Sequence, residues 1–180
     1  MNNYTIIMIG DTMVGKTSLS TKYISNTFSS EYNETIEDLY RKKITIDGTK
    51  ITLDIIDISG KQNDFDLWSN IMTGYMFVYD VTNKSSFDKI VSIYRKKFKN
   101  IVKLPIVLVG NKRDMDNIVV TTVMGMELAE EIGCPFFETS AKNNTLDTYF
   151  IACAKLIKNS GNINNIRKSI LVNSDCCIIN

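Results

Sequence analysis

Histidine is absent from the chain. Without an imidazole there is no His-based acid–base catalysis, no His-containing triad and no His metal site. The four cysteines, Cys134, Cys153, Cys176 and Cys177, lack zinc-site spacing. No apolar run approaches membrane-spanning length. Neither sign of charge dominates: 21 Lys and Arg against 20 Asp and Glu leave +1, so charge gives no case for a nucleic-acid binder. The first residues carry no charged and apolar secretory pattern, and the expected setting is a reducing, cytosolic one. Internal repeats are missing too. What is present is ordinary for a globular chain: 180 residues, 44% hydrophobic and 23% charged, enough for one domain with a sizeable core.

The informative stretch is Gly10-Asp11-Thr12-Met13-Val14-Gly15-Lys16-Thr17. An apolar run from Tyr4 to Ile9 precedes it, and a helical pattern from Ser18 to Ile24 follows. Glycine, four residues, then Gly-Lys-Thr between a strand and a helix is a phosphate-binding loop. Backbone N–H groups turned inward can meet the charges of a polyphosphate, and two glycines allow the turn and the close approach. The helix N-terminus adds unpaired N–H groups and a positive dipole end. Lys16 supplies a compact cation for the β- and γ-phosphates, and Thr17 a hydroxyl for Mg²⁺.

Around this loop the pattern alternates. Ile6–Ile9 reads as a strand buried on both faces, and Thr17–Asn26 as a helix with Leu19, Tyr23 and Ile24 on one side. Phe28–Glu37 reads as a loop. Leu39–Ile46 and Lys50–Ile58 read as strands joined by Asp47-Gly48, a strong hairpin signal. Asp57 then lies at a strand end, where ligands of open α/β sheets sit. Lys61–Met72 reads as a loose helix, Tyr75–Val81 as a strand, and Ser85–Asn100 as a helix capped by Ser85 or Ser86. Pro105–Gly110 is a strand, Thr121–Ile132 a helix stopped by Gly133, and Pro135–Glu138 a short strand. Thr145–Asn159 is the last helix, with Leu146, Tyr149, Phe150, Cys153 and Leu156 at core spacing. From Gly161 an Asn- and Ser-rich tail is expected to be disordered. The fold class expected is α/β: a doubly wound, mostly parallel six-stranded sheet with one antiparallel strand and about five helices.

Two tetrapeptides follow strands that end on the same sheet edge: Asn111-Lys112-Arg113-Asp114 and Thr139-Ser140-Ala141-Lys142. A carboxylate facing a base can accept from guanine N1–H and N2–H₂ together, whereas adenine lacks those donors. Asp114 would make that choice, and Lys112 and Lys142 could lay their stems over the base.

With these motifs in order, the chain resembles the Ras superfamily of small GTPases over roughly Tyr4 to Asn159, and the Ras subfamily most. The segment Tyr32-Asn33-Glu34-Thr35-Ile36-Glu37-Asp38-Leu39-Tyr40-Arg41-Lys42 is similar to the switch I and effector segment of Ras and Rap proteins. The resemblance implies a P-loop NTPase fold over residues 1–160, binding GTP or GDP with Mg²⁺. It implies nucleotide contacts from Met13, Val14, Gly15, Lys16, Thr17, Ser18, Phe28, Ser29, Ser30, Tyr32, Thr35, Gly60, Asn111, Lys112, Asp114, Ser140, Ala141 and Lys142. Thr17, Thr35 and Asp57 would serve the metal, Asp57 through water. Lys16, Thr35, Gly60, Lys61 and Gln62 would surround the reacting γ-phosphate. Effectors would read Ile36, Glu37, Asp38 and Tyr40, an exchange factor would reload the site, and a monomer is expected.

The chain also departs from that family. Lys61 stands where the family has a glutamine that orients the attacking water, and Gln62 comes one place later. Lysine has donors only. Thr12 and Met13 occupy the place of two glycines and would crowd an arginine finger. Switch II is shorter by about one helical turn. Slow hydrolysis and a poor response to activating proteins are expected. The alternative is a GTP-binding module with little or no turnover. The chain ends Cys177-Ile178-Ile179-Asn180, a prenylation-like pattern. One lipid binds membranes weakly. Cys176 is a candidate palmitoylation site, and Arg167 with Lys168 makes a thin basic patch. Peripheral attachment to the cytoplasmic face of a membrane, the plasma membrane first, is the expectation.

Overall fold

The computed structural model describes residues 2–25, 37–58, 72–101, 103–143 and 148–160. β1 (Asn2–Ile9) is the central strand. Its apolar run is continuous because both faces are covered: Tyr4, Ile6 and Met8 enter one core and Ile7 and Ile9 the other. β4 (Thr73–Asp80) and β5 (Ile106–Asn111) are divided in the same way. Met76, Val78, Val107 and Val109 face one side, and Tyr75, Phe77, Tyr79, Ile106 and Leu108 the other. The sheet has six strands in the order β2-β3-β1-β4-β5-β6, with β6 at Phe136–Glu138. All neighbours pair in parallel except β2 (Glu37–Ile46) with β3 (Thr49–Ile58).

The hairpin expected at Asp47-Gly48 is present. Both residues have positive φ, 46° and 75°, which matches the twist of the two flanking strands. Two helices cover the first core. α1 (Lys16–Ser25) contributes Leu19 and Tyr23, and α4 (residues 148–160) contributes Tyr149, Phe150, Cys153, Ala154 and Ile157. α2 (Lys84–Ile93) and α3 (Thr122–Ile132) cover the second core through Phe87, Ile90, Leu128 and Ala129.

Four helices lie among the described residues, against about five expected. The loose helix read at Lys61–Met72, except Met72 itself, most of the loop read at Phe28–Glu37, Leu146 and the tail lie outside the described residues. Leu156 is only partly buried; Ala154 and Ile157 fill the core instead. The start of α2 differs from expectation. Its cap is Asn83, whose side-chain oxygen accepts from the Ser86 N–H at 3.3 Å. Ser86 is already the third residue of the helix, and its buried hydroxyl donates to the Asn83 carbonyl at 2.7 Å and accepts the Asp80 N–H at 3.0 Å. Ser85 falls one residue inside the helix. The helix does not run smoothly to Asn100: Tyr94–Phe98 forms a π turn, closed by the Lys99 N–H on the Tyr94 carbonyl at 2.9 Å. α3 begins at its Thr121 cap and ends on Gly133 at φ 73°, as read.

Candidate functional site

β1, β3, β4, β5 and β6 are parallel, so the loops that leave them gather at one sheet edge. The Gly10–Thr17 loop leaves β1 there. A Cβ on Gly10 would lie 2.3 Å from the Val78 carbonyl oxygen of β4, so only glycine lets the loop start so close to the sheet. Gly15 has φ 93°, and a Cβ there would lie 2.3 Å from the Asn111 side-chain nitrogen. Met13 is left-handed as well, at φ 61°, with its side chain 64% exposed. Val14 is buried beneath the loop.

Lys16 is 6% exposed. Its Nζ donates to the Gly10 carbonyl at 3.1 Å and the Asp11 carbonyl at 2.9 Å. An ammonium carries three protons, so these bonds aim the cation into the loop and leave one donor for a phosphate. Burial lowers its pKa, and the charges of Asp57 and Asp11 oppose that.

Asp57 is fully buried at the end of β3, opposite Met8 of β1. One carboxylate oxygen accepts from the Thr17 hydroxyl. The other has no partner among the described residues. Burial raises its pKa, against the Thr17 hydrogen bond and the Lys16 charge. An orphaned buried oxygen beside a hydroxyl is a donor set for a hard cation, and Mg²⁺ takes oxygen ligands. Thr17 and Asp57 therefore fit that metal.

The base-side loops are joined to the phosphate loop by one amide. Asn111, 1% exposed, donates from its side-chain nitrogen to the Val14 carbonyl at 2.8 Å. Its oxygen accepts the Ala141 N–H at 3.1 Å. Both loops are also tied by backbone: Arg113 N–H to the Thr139 carbonyl at 3.0 Å, and Thr139 N–H to the Gly110 carbonyl at 2.8 Å. Asp114 and Ser140 come together on an open cleft of about 290 Å³, with Arg113, Glu138, Thr139 and Asn143. Lys112 takes φ 66° and pairs its ammonium with Asp80 at 2.7 Å, which fixes its stem beside the site. Lys142 is exposed, and its carbonyl accepts from Lys22 of α1 at 3.1 Å. Ser18 sits half-buried in the first turn of α1.

Asp38 and Tyr40 lie on β2, with the Tyr40 hydroxyl donating to Asp38 at 3.3 Å. Glu37 opens β2. Phe28, Ser29, Ser30, Tyr32, Thr35, Ile36, Gly60, Lys61, Gln62, Cys176 and Cys177 lie outside the described residues. Asp80, Asp11 and Lys89 escaped the sequence reading. Asp80 had left one signal, an acid closing the otherwise apolar run of β4.

A family model described as the Ras family matches residues 5–159. The chain is 40% identical to "Ras-like protein rasB" of Dictyostelium discoideum, over 88% of this chain and 84% of that protein. It is 36% identical to "Ras-like protein 2" of Mucor circinelloides f. lusitanicus, over 80% and 76%. It is 35% identical to "Ras-like protein 1" of Saccharomyces cerevisiae, where the match covers 97% of this chain and spans 62% of the yeast protein.

Proposed function

The chain belongs to the Ras family as a small GTPase of the Ras type, and from that premise we propose that it is a slowly hydrolysing GTP/GDP switch at a membrane surface. Its cofactors are those of the family, GTP or GDP with Mg²⁺. The observation that carries the reading is the corner where buried Lys16 and buried Asp57 meet across Thr17. Opposite charges are buried there with donors and acceptors left for a phosphate and a cation.

In this reading residues 1–160 form the GTP-binding domain and residues 161–180 a tail that carries the lipidation site. Lys16 holds the β- and γ-phosphates, with Met13, Val14, Gly15 and Ser18 lining the loop. Thr17, Thr35 and Asp57 hold Mg²⁺, which when bound offsets charge on the phosphate oxygens. Asp114 selects guanine, supported by Lys112, Ser140 and Lys142. Asn111 acts on the base side by holding Val14 and Ala141. Phe28, Ser29, Ser30 and Tyr32 close over the nucleoside. Thr35 and Gly60 release when the γ-phosphate leaves, so the two switches relax. Effectors then lose the surface of Ile36, Glu37, Asp38 and Tyr40.

Hydrolysis is slow because Lys61 replaces the water-orienting glutamine, and Thr12 with Met13 obstructs an activating arginine. Gln62 sits one place late. Prenylation at Cys177 and palmitoylation at Cys176 supply a peripheral anchor. Single-turnover GTP hydrolysis on nucleotide-exchanged protein, beside Lys61→Gln, tests the reading. A slow parent and a faster variant are expected. Equal, ordinary family rates would remove Lys61 as the brake.

A further inference from the structure

Asp11 is the one acid in the Gly10–Thr17 loop. A carboxylate in a loop that binds polyphosphate repels its own ligand unless something cancels it. Lys89 of α2, 78 residues away in sequence, donates from Nζ to Asp11 Oδ1 at 2.7 Å. Both side chains are 28% exposed, so solvent screens the pair only in part. The same oxygen accepts the Thr12 N–H at 2.9 Å, and the Asp11 carbonyl accepts from Lys16 at 2.9 Å. Asp11 therefore joins three things: the loop backbone, the phosphate-binding lysine and α2. Burial raises the Asp11 pKa, but the Lys89 bond, the Thr12 N–H and the charges of Lys89 and Lys16 outweigh it, and the carboxyl stays ionised below its usual range.

We propose that Lys89 is a positioning residue for nucleotide retention: it cancels the Asp11 charge and pins that carboxylate toward α2, so that the phosphate loop keeps its full pull on GTP. The inference rests on Gly10–Thr17 being the phosphate-binding loop. Lys89 does not touch the reacting atoms in this account. It acts by setting the charge and orientation of Asp11, and it makes nucleotide release sensitive to whatever moves α2.

The experiment is the release rate of fluorescent GTP and GDP from the full chain with Mg²⁺, for the parent, Lys89→Ala, Lys89→Arg, Asp11→Asn and the double variant Asp11→Asn/Lys89→Ala. Lys89→Ala should release GTP faster, on the order of tenfold. GDP, with less charge, should be affected less. Lys89→Arg should release GTP close to the parental rate. Asp11→Asn in the Lys89→Ala background should restore retention, because the unpaired charge is gone. Added salt should narrow the gap between parent and Lys89→Ala. Equal acceleration of GTP and GDP with no rescue by Asp11→Asn would mean a merely structural contact and would overturn the proposal. So would a Lys89→Ala variant that holds GTP as the parent does. A parent that fails to bind fluorescent GTP would overturn the loop reading itself, a result distinct from either.

Discussion

Two carboxylates stand near the ends of the strands that flank β1, and their surroundings differ. Asp80 ends β4 and Asp57 nearly ends β3, both buried. Asp80 is fully served within the chain. One oxygen accepts from the Thr82 N–H at 2.8 Å and its hydroxyl at 2.7 Å, and the other pairs with Lys112 at 2.7 Å. Asp57 has the Thr17 hydroxyl on one oxygen and no partner among the described residues on the other. A buried acid with its bonds made holds loops in place. A buried acid with a bond unmade among the described residues is open to a further ligand. The contrast separates an aspartate satisfied by the chain from the one proposed to serve Mg²⁺ by counting partners.

The comparison can be broken by substitution. Asp80→Ala should have the largest effect on folding, about 2–3 kcal/mol, because it strands Lys112 and Thr82. Urea unfolding in chelator reads it. Asp57→Asn should behave oppositely. It should weaken Mg²⁺ affinity by roughly ten- to a hundredfold, as loss of a water-mediated metal partner does, while stability in chelator does not fall. If Asp57→Asn costs as much as Asp80→Ala in chelator, the two acids have the same role and the distinction fails. Thr17→Val should cost about 1 kcal/mol in chelator, since it removes the donor that Asp57 does have. The smallest effect concerns acid pH. Asp11 has a folded pKa below its ordinary 3.8. Its contribution is therefore present above the unfolded value and is lost as pH falls through the lowered folded one. Unfolding midpoints taken through that acid range should lose stability slightly more steeply in the parent than in Lys89→Gln.

The strands, the antiparallel hairpin and the glycine loop were legible in the sequence because they rest on local pattern. Ile6–Ile9 and Val107–Val109 are runs that only a doubly covered strand needs, Gly10 marks a spot with no room for a Cβ, and Gly15 a left-handed backbone. Asp57 was readable from its place at a strand end. The Asp80–Lys112 and Lys89–Asp11 pairs were not, because each joins side chains distant in sequence. The α2 cap was misread for a related reason. Asn83, Ser85 and Ser86 are all capping types, and the choice falls to which hydroxyl is buried against Asp80. The π turn at Tyr94–Phe98 has no local signature, since Tyr94 and Phe98 keep core spacing across it. Asn111 was read as one of the nucleotide contacts, and the link its side chain makes between Val14 and Ala141 left no mark in the sequence, because both partners are distant in the chain.

That amide has a kinetic consequence. It closes one contact across 97 residues and another across 30, so it needs β1, β4, β5 and β6 in register. Contacts of such separation come late, after the local turns and neighbouring strand pairs. The loops at this sheet edge are thus expected to be among the last parts of the chain to assemble, and a refolding chain should gain nucleotide binding together with its final folding step.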